Sequence, residues 1–385
     1  MKQRVRTVAV LGAGNVGCAL AAHLAMTGVE VRLCNRSMAR LEPIREAGGI
    51  TIAGAVEGFG VVSMLTDSVE EAVHGAEVVA VALPTPALPH YARDIADATN
   101  SDQLIWLDPG HSGGALFLAA EMERRGGRRG RRICQLSTAS HGSRMTGPAS
   151  VGVFGLAKAT LASIPMDESD DCFALIDELL RGQFRIGGSV LELDLANMNA
   201  VMHPAQMVGN ASWIEAIAGD FHIYQEGSGP AISRVIEAVD AERLAVAAAL
   251  DVPTISFVDF LAQAGYTTAE AAAAGHVHRA LQEGEAIRGV KAPPTLDHRY
   301  LHEDVGWGLV PWMALAEVVS VATPTMAALT QLAGVMNGVD YGASGLTLAR
   351  MGLAGLTPGE IVTYAQRGPA LDAARSGSAA DSARV

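Results

Sequence analysis

Three glycines at Gly-x-Gly-x-x-Gly spacing lie in Val8-Ala9-Val10-Leu11-Gly12-Ala13-Gly14-Asn15-Val16-Gly17, directly behind an apolar run. Gly12 permits a tight turn, Gly14 lets the backbone approach a pyrophosphate, and Gly17 lets the following helix pack closely on the strand. The amides and dipole of that helix attract phosphate. Residues 5–11 form the strand, the Ala- and Leu-rich stretch 18–26 a helix, and residues 29–34, after Gly28, a second strand, so the glycines have the βαβ context that the fingerprint requires. Gly12, Gly14, Asn15, Val16 and Gly17 are therefore candidates to hold a dinucleotide; a merely tight strand-to-helix turn is the alternative.

The end of the second strand narrows the cofactor. An acidic residue there would accept hydrogen bonds from a ribose 2′-hydroxyl, but the chain reads Cys34-Asn35-Arg36-Ser37. A carboxylate would repel a 2′-phosphate, whereas Arg and Ser can bind one. A charge pair about 4 Å apart at a dielectric of about 20 contributes about 4 kcal/mol, which exposure reduces to about one or two decades of preference. NADP(H) is favoured over NAD(H), with Asn35, Arg36, Ser37 and Pro84 completing the cofactor set. The alternative for Arg36 is a solvated cap on the helix 38–47.

Among eleven histidines, His203 precedes Pro204 at the expected entry to a helix over 205–217. A residue before proline is pushed towards an extended conformation, and the positive helix end would keep the imidazole neutral. To protonate a carbonyl or carbinolamine oxygen it needs an opposing carboxylate; otherwise it is an ordinary cap. The stretch Asp297-His298-Arg299-Tyr300-Leu301-His302-Glu303-Asp304-Val305-Gly306-Trp307-Gly308-Leu309-Val310-Pro311-Trp312 offers carboxylates for such a pairing and an arginine for bidentate carboxylate binding. By composition alone it reads better as an ordinary polar loop.

Taken together, Gly12-Ala13-Gly14-Asn15-Val16-Gly17, Met202-His203-Pro204, Arg299-Tyr300-Leu301-His302-Glu303-Asp304-Val305 and the loop Asp108-Pro109-Gly110-His111-Ser112-Gly113-Gly114-Ala115 resemble the opine dehydrogenase family over residues 5–345. The resemblance implies that His203 is the catalytic acid/base, Asp304 its partner and Arg299 a ligand for a substrate carboxylate. Asn210 and Arg144 are further candidates for substrate binding. Gly306, where the family commonly has proline, and Ser143-Arg144, in the polar stretch 138–147, depart from the pattern and bear on amino-donor specificity. The implied reaction is attack of an amino acid's amino group on a 2-oxo acid, loss of water to an imine, and hydride delivery from NAD(P)H. Two other functions fit the same plan. A ketopantoate reductase-like enzyme would reduce a 2-oxo acid directly, typically with a lysine and a glutamate; a non-catalytic NADP(H) sensor would lack His203 or Asp304.

Those residues must be positioned by a folded scaffold. Apolar strands at 78–83, 103–107 and 132–136 alternate with helical stretches and predict a parallel sheet covered on both faces. Residues 49–63 suggest a small hairpin, and 152–164, containing Lys158, further pairing at the sheet's edge. The helix 170–181 and strand 183–186 close the first domain at Gly187-Gly188. Helical spacing then dominates, over 205–217, 231–250, 256–263, 310–321 and 323–336. The fold class is thus an α/β Rossmann-type dinucleotide-binding domain (1–186) followed by a mainly α-helical substrate domain (187–373), with the small, polar residues 374–385 expected to be a disordered tail.

Composition excludes several functions. The chain has 385 residues, 49% of them hydrophobic, and a net charge of −13, which disfavours nucleic acid and anionic lipid. The basic run from Arg124 to Arg132 reads as a solvated connection. Four scattered cysteines without CxxC spacing suit reduced thiols in a cytoplasm. The glycine fingerprint and His23 break the N-terminal apolar segment, so it is not a signal peptide, and no membrane span is expected. His276 and His278 are too close in sequence to share a helix face, His298 and His302 lack the Glu of HExxH, and no metal is expected. Lys158 could meet substrate or phosphate but reads better as an exposed strand lysine. The partners expected are small molecules, with a homodimer as a candidate assembly.

Overall fold

The computed structural model describes residues 5–126 and 131–369; the expected tail and Arg128-Arg129 of the basic run lie outside them. Twelve strands occur among the described residues. They are β1 (Thr7–Leu11), β2 (Glu30–Cys34), β3 (Ile50–Gly54), β4 (Gly58–Gly60), β5 (Met64–Thr66), β6 (Val78–Val81), β7 (Leu104–Leu107), β8 (Arg132–Leu136), β9 (His141–Gly147), β10 (Ser150–Leu156), β11 (Ala159–Ile164) and β12 (Phe184–Ile186).

Eight of them form one sheet in the order β12-β11-β8-β7-β6-β1-β2-β5. Every pairing in it is parallel except that of β11 with β8. β1, β6 and β7 are buried along their whole lengths, as expected of parallel strands covered by helices on both faces. The strand order reverses at β1, which lies between β2 and β6, and this is the switch point at which such sheets bind ligands. β5 has three residues, too few to show a period in the sequence.

The hairpin expected at 49–63 forms as β3 and β4, but it belongs to a second sheet, β4-β3-β10-β9. The strands expected together at 152–164 part company for the same reason. β10 alternates buried and open positions and pairs with β3, whereas β11 buries four consecutive residues and joins the main sheet. Lys158 is exposed in the link between them, outside either strand.

The chain divides into two compact units. One runs to Asp194 and regains Arg350–Ala354 and the segment from Glu360; the other comprises Leu195–Ala349 and Gly355–Gly359. The division falls beyond Gly187-Gly188 because the helix Val190–Leu195 is tied back to the first unit. The Gln135 Nε2 donates to Asp194 Oδ1 at 2.8 Å and to the Val190 carbonyl at 3.3 Å.

In the second unit, the helix Pro230–Ala249 carries Arg243, which is fully buried. Its guanidinium donates to Asp240 Oδ1 at 2.6 Å and to the carbonyls of Leu195 and Ile255, each at 2.6 Å, so the buried charge is paired and hydrogen-bonded. Glu242 accepts the leading amides of the helix Pro324–Asn337 at 2.7 and 2.9 Å, which satisfies two donors that a helix start leaves over. Two local expectations change here. The helix expected at 205–217 begins at Met198, runs to Gly209 with Pro204 inside it, and is followed by a separate helix Ala211–Ile217. His203 therefore sits within a helix, neither extended nor at a helix start. The stretch 297–312 is helical from Arg299 onwards: Arg299–Asp304 leads through a π-helical turn, Val305–Leu309, into Val310–Val318.

Candidate functional site

In the first unit, the glycine turn leaves β1 beside the end of β6. Gly12 has φ +110°, and a Cβ there would lie 2.5 Å from the Ala82 carbonyl oxygen. A Cβ on Gly17 would lie 1.8 Å from the Gly12 oxygen. Side chains at either position would destroy the turn. Gly14 differs, being exposed with open space where its Cβ would be. It caps the helix Asn15–Met26, whose first turn has neither a capping side chain nor an acidic residue, so the leading amides suit an anion.

Of the other cofactor candidates, Arg36 and Ser37 are exposed at the end of β2, while Asn35 braces the turn. Its Oδ1 accepts the Ala13 N–H at 3.2 Å and its Nδ2 donates to the Ser37 carbonyl at 3.2 Å. The Arg36 N–H donates to Tyr91 Oη at 3.0 Å. Asn15 also braces, its Oδ1 accepting the Met145 N–H at 2.9 Å. Val16 is half-buried, and exposed Pro84 precedes the 3-10 turn Thr85–Ala87. Arg40 went unmarked by sequence reasoning: its Nε donates to the Ala13 carbonyl at 3.0 Å and brings a guanidinium onto the glycine turn. Nothing separated it in the sequence from any surface arginine on a helix.

The second unit gathers the acid–base candidates. His203 Nδ1 lies 2.7 Å from Asp304 Oδ2, and its Nε2 lies 3.1 Å from Tyr224 Oη. Tyr300 stacks on the imidazole with ring centroids 3.5 Å apart and planes 11° from parallel. His203 and Asp304 are 3% and 2% exposed, so water competes little for their contact. The π turn allows this approach through Gly308, where a Cβ would come 2.5 Å from Ala200 Cβ on the helix that carries His203. Single π turns inside helices recur at functional sites.

A carboxylate can only accept, so His203 Nδ1–H donates to Asp304, and the neutral ring's Nε2 accepts the Tyr224 hydroxyl proton. Burial holds the His203 pKa well below its ordinary value; the Arg299 charge lowers it further and Glu303 opposes them. Burial, and not a helix end, is what keeps the imidazole neutral. Neither Tyr224, in an irregular loop, nor Tyr300, in a charged run, was marked by its sequence.

Arg299 opens the same short helix as Asp304, with its side chain 53% exposed; Nε and Nη2 both reach buried Glu303 at 2.8 Å. Asn210 follows the His203 helix, and its Nδ2 donates to the carbonyls of Gln206 and Gly227, each at 2.8 Å. Arg144 is exposed on β9, in the first unit. His302 is engaged at both ring nitrogens, by Asp297 at 2.8 Å and Tyr341 Oη at 2.9 Å, so it does not join His298 as a ligand pair.

Comparisons with known proteins place this geometry in context. Residues 186–337 match the family model described as "NAD/NADP octopine/nopaline dehydrogenase, alpha-helical domain". Residues 7–106 match "NADP oxidoreductase coenzyme F420-dependent". The chain is 33% identical over 358 residues to an opine dehydrogenase of an Arthrobacter species, covering 92% of this chain and 98% of that one. An octopine dehydrogenase structure with NADH and agmatine shares the fold at TM-score 0.77 and 21% identity, covering 93% of this chain and 98% of that one. A yersinopine dehydrogenase with NADP+ gives TM-score 0.74 at 16% identity, covering 94% and 96%. A ketopantoate reductase from Ralstonia eutropha is more distant, with TM-score 0.58 at 16% identity and coverage of 86% and 98%.

Proposed function

The chain belongs to the opine dehydrogenase family, and from that premise we propose that His203 is the acid/base of its reaction and Asp304 the residue that orients and charges it. The reaction class follows from the family: an NAD(P)-dependent dehydrogenase acting on CH–NH bonds, which condenses an amino acid's amino group reductively with a 2-oxo acid. The observation that carries the assignment is the buried 2.7 Å contact of His203 with Asp304, across 101 residues of sequence. The carboxylate fixes the Nδ1–H tautomer, leaves Nε2 as the working nitrogen, and stabilises the imidazolium when a proton arrives.

The turn at Gly12, Gly14 and Gly17, with Asn15, Val16, Asn35 and Pro84 around it, fits a dinucleotide, since a Cβ at Gly12 or Gly17 has no room and the helix start lacks a competing anion. When bound, the cofactor supplies the hydride. We assign a preference for NADP(H): Arg36 and Ser37, both exposed, end β2 where an acidic residue would oppose a 2′-phosphate. Arg299 would hold a substrate carboxylate through the part of its guanidinium turned away from Glu303. Asn210 and Arg144 complete the proposed substrate set, Asn210 by way of its Oδ1. The observation favouring imine chemistry over direct 2-oxo acid reduction is the His–Asp pair itself.

No helix among the described residues is long and apolar enough to cross a membrane. Four free, buried cysteines support a cytoplasmic setting. The exposed residues Leu332, Val335 and Met336, at i, i+3 and i+4 on the helix Pro324–Asn337, support a homodimer.

The experiment is NADPH oxidation with a panel of 2-oxo acids, each with and without a panel of amino acids, followed by product mass. Amine-dependent turnover giving a secondary amine is expected. Equal turnover without any amine would assign the chain to direct 2-oxo acid reduction.

A further inference from the structure

His203 is closed off on every side that the structure describes. Nδ1 is bound to Asp304, one ring face lies under Tyr300, the side chain is 3% exposed, and Nε2 is covered by the Tyr224 hydroxyl at 3.1 Å. A substrate therefore reaches the imidazole only by displacing Tyr224 or by working through it. The second route has the correct polarity. With Nδ1–H held by Asp304, the Tyr224 O–H points its proton at the Nε2 lone pair, and the phenol oxygen, which also meets the Tyr300 hydroxyl, keeps lone-pair capacity to accept another. Tyr224 is 8% exposed, and burial first, then the neighbouring Tyr300, keeps its hydroxyl far from ionising, so it can pass a proton without resting as a phenolate.

We propose that Tyr224 is a catalytic residue, the hydroxyl through which His203 exchanges protons with the substrate. The inference rests on the acid–base role given to His203 above. In the first step an amino acid's ammonium N–H gives its proton to the Tyr224 oxygen while the Tyr224 proton moves to His203 Nε2. This yields a free amine and an imidazolium paired with Asp304. The amine adds to the 2-oxo acid, and its surplus N–H proton moves to the former carbonyl oxygen to give the neutral carbinolamine. The relay then runs backwards. The carbinolamine C–O bond breaks, the nitrogen electron pair forms C=N, and the departing hydroxyl takes the Tyr224 proton and leaves as water. The Tyr224 oxygen recovers a proton from Nε2, which returns His203 to neutral.

Tyr224→Phe keeps the ring and removes only the relaying atom. With the amino acid and 2-oxo acid pair that gives the highest turnover in the panel, the variant should lose about two decades or more of kcat, as expected for general acid–base catalysis. NADPH affinity and the KM for the 2-oxo acid should stay within about threefold, a split that a loss of binding would not produce. In mixtures of light and heavy water, the wild-type rate should follow a bowed proton inventory, with two protons in flight. A Tyr224→Phe kcat within about threefold of wild type would overturn the relay. His203→Ala in parallel separates the two ideas: if it too is silent, the acid–base role itself fails, and if it alone is damaging, only the relay fails. A nitrogen-15 spectrum of the wild-type protein at pH 7 tests the relay without turnover. It should show His203 as the Nδ1–H tautomer with Nε2 accepting a hydrogen bond, and an Nε2–H tautomer or an imidazolium would refute it.

Discussion

His203 Nδ1 and Asp304 Oδ2 meet at 2.7 Å because a glycine, Gly308, lets the π turn after Asp304 settle against Ala200 on the His203 helix. The two residues should therefore act as one unit. His203→Ala should lower kcat by about two to four decades while NADPH still binds. Asp304→Asn should remove much of the same effect, and the double variant should fall far short of the sum. Additive losses in the cycle would show that the residues work separately.

Arg299 has two candidate employments, and the structure displays one of them, the 2.8 Å ion pair with buried Glu303. Arg299→Lys keeps a charge for Glu303 but loses the planar fork that grips both oxygens of a carboxylate. It should raise the KM of the carboxylate-bearing substrate about tenfold or more, with Tm and NADPH affinity nearly unchanged. Arg299→Ala should lower Tm as well. Steady-state kinetics beside a thermal melt decides the matter: lost stability with an unchanged KM in both variants would assign the arginine to the scaffold alone.

Arg36 should distinguish the two nicotinamide cofactors. NADPH should have the lower KM in the wild-type enzyme, and Arg36→Ala should weaken NADPH by about one or two decades more than NADH, the range left to an exposed charge pair after screening. Parallel losses for both cofactors would rule out a 2′-phosphate contact.

Acid stability should follow a buried chain in the first unit. Asp108 accepts the Ser140 N–H at 2.7 Å and the Ser140 hydroxyl; Ser140 Oγ lies 2.7 Å from His141 Nδ1, and His141 Nε2 lies 3.0 Å from His23 Nδ1. Burial, reinforced by His23, pulls His141 down to about 3, and burial lowers His23 as well. Burial also raises Asp108 to about 6 against the two hydrogen bonds from Ser140. As pH falls from 6.5 towards 3, the unfolded chain takes up protons that the folded histidines refuse, so stability drops. Asp108 works the other way between about 6 and 3.8, where the folded state binds the extra proton. Asp194, raised by burial to about 7, and Glu192, also raised by burial, act in the same sense as Asp108, whereas the depressed histidines, with His203 added to them, contribute a slope that is a loss on acidification. His141→Gln should flatten it, as read from denaturation midpoints between pH 7 and 4; an unaltered slope would remove His141 from the cause.

By itself the sequence determined what depends on neighbours along the chain. The glycine spacing and the apolar strands specify the tight strand-to-helix turn locally, because backbone clearance and helix-end amides are properties of a few consecutive residues. His203 and Asp304 were legible as a pair through the family resemblance, but not through their spacing. Tertiary structure decided the rest. It placed His203 inside a helix, converted the polar stretch at 297–312 into a helix with a π turn, and split residues 152–164 between two sheets. It also brought Tyr224 onto Nε2 and Tyr300 onto the ring face. These outcomes depend on which surfaces pack together, and a contact between residues far apart in sequence leaves no local period or composition to mark it.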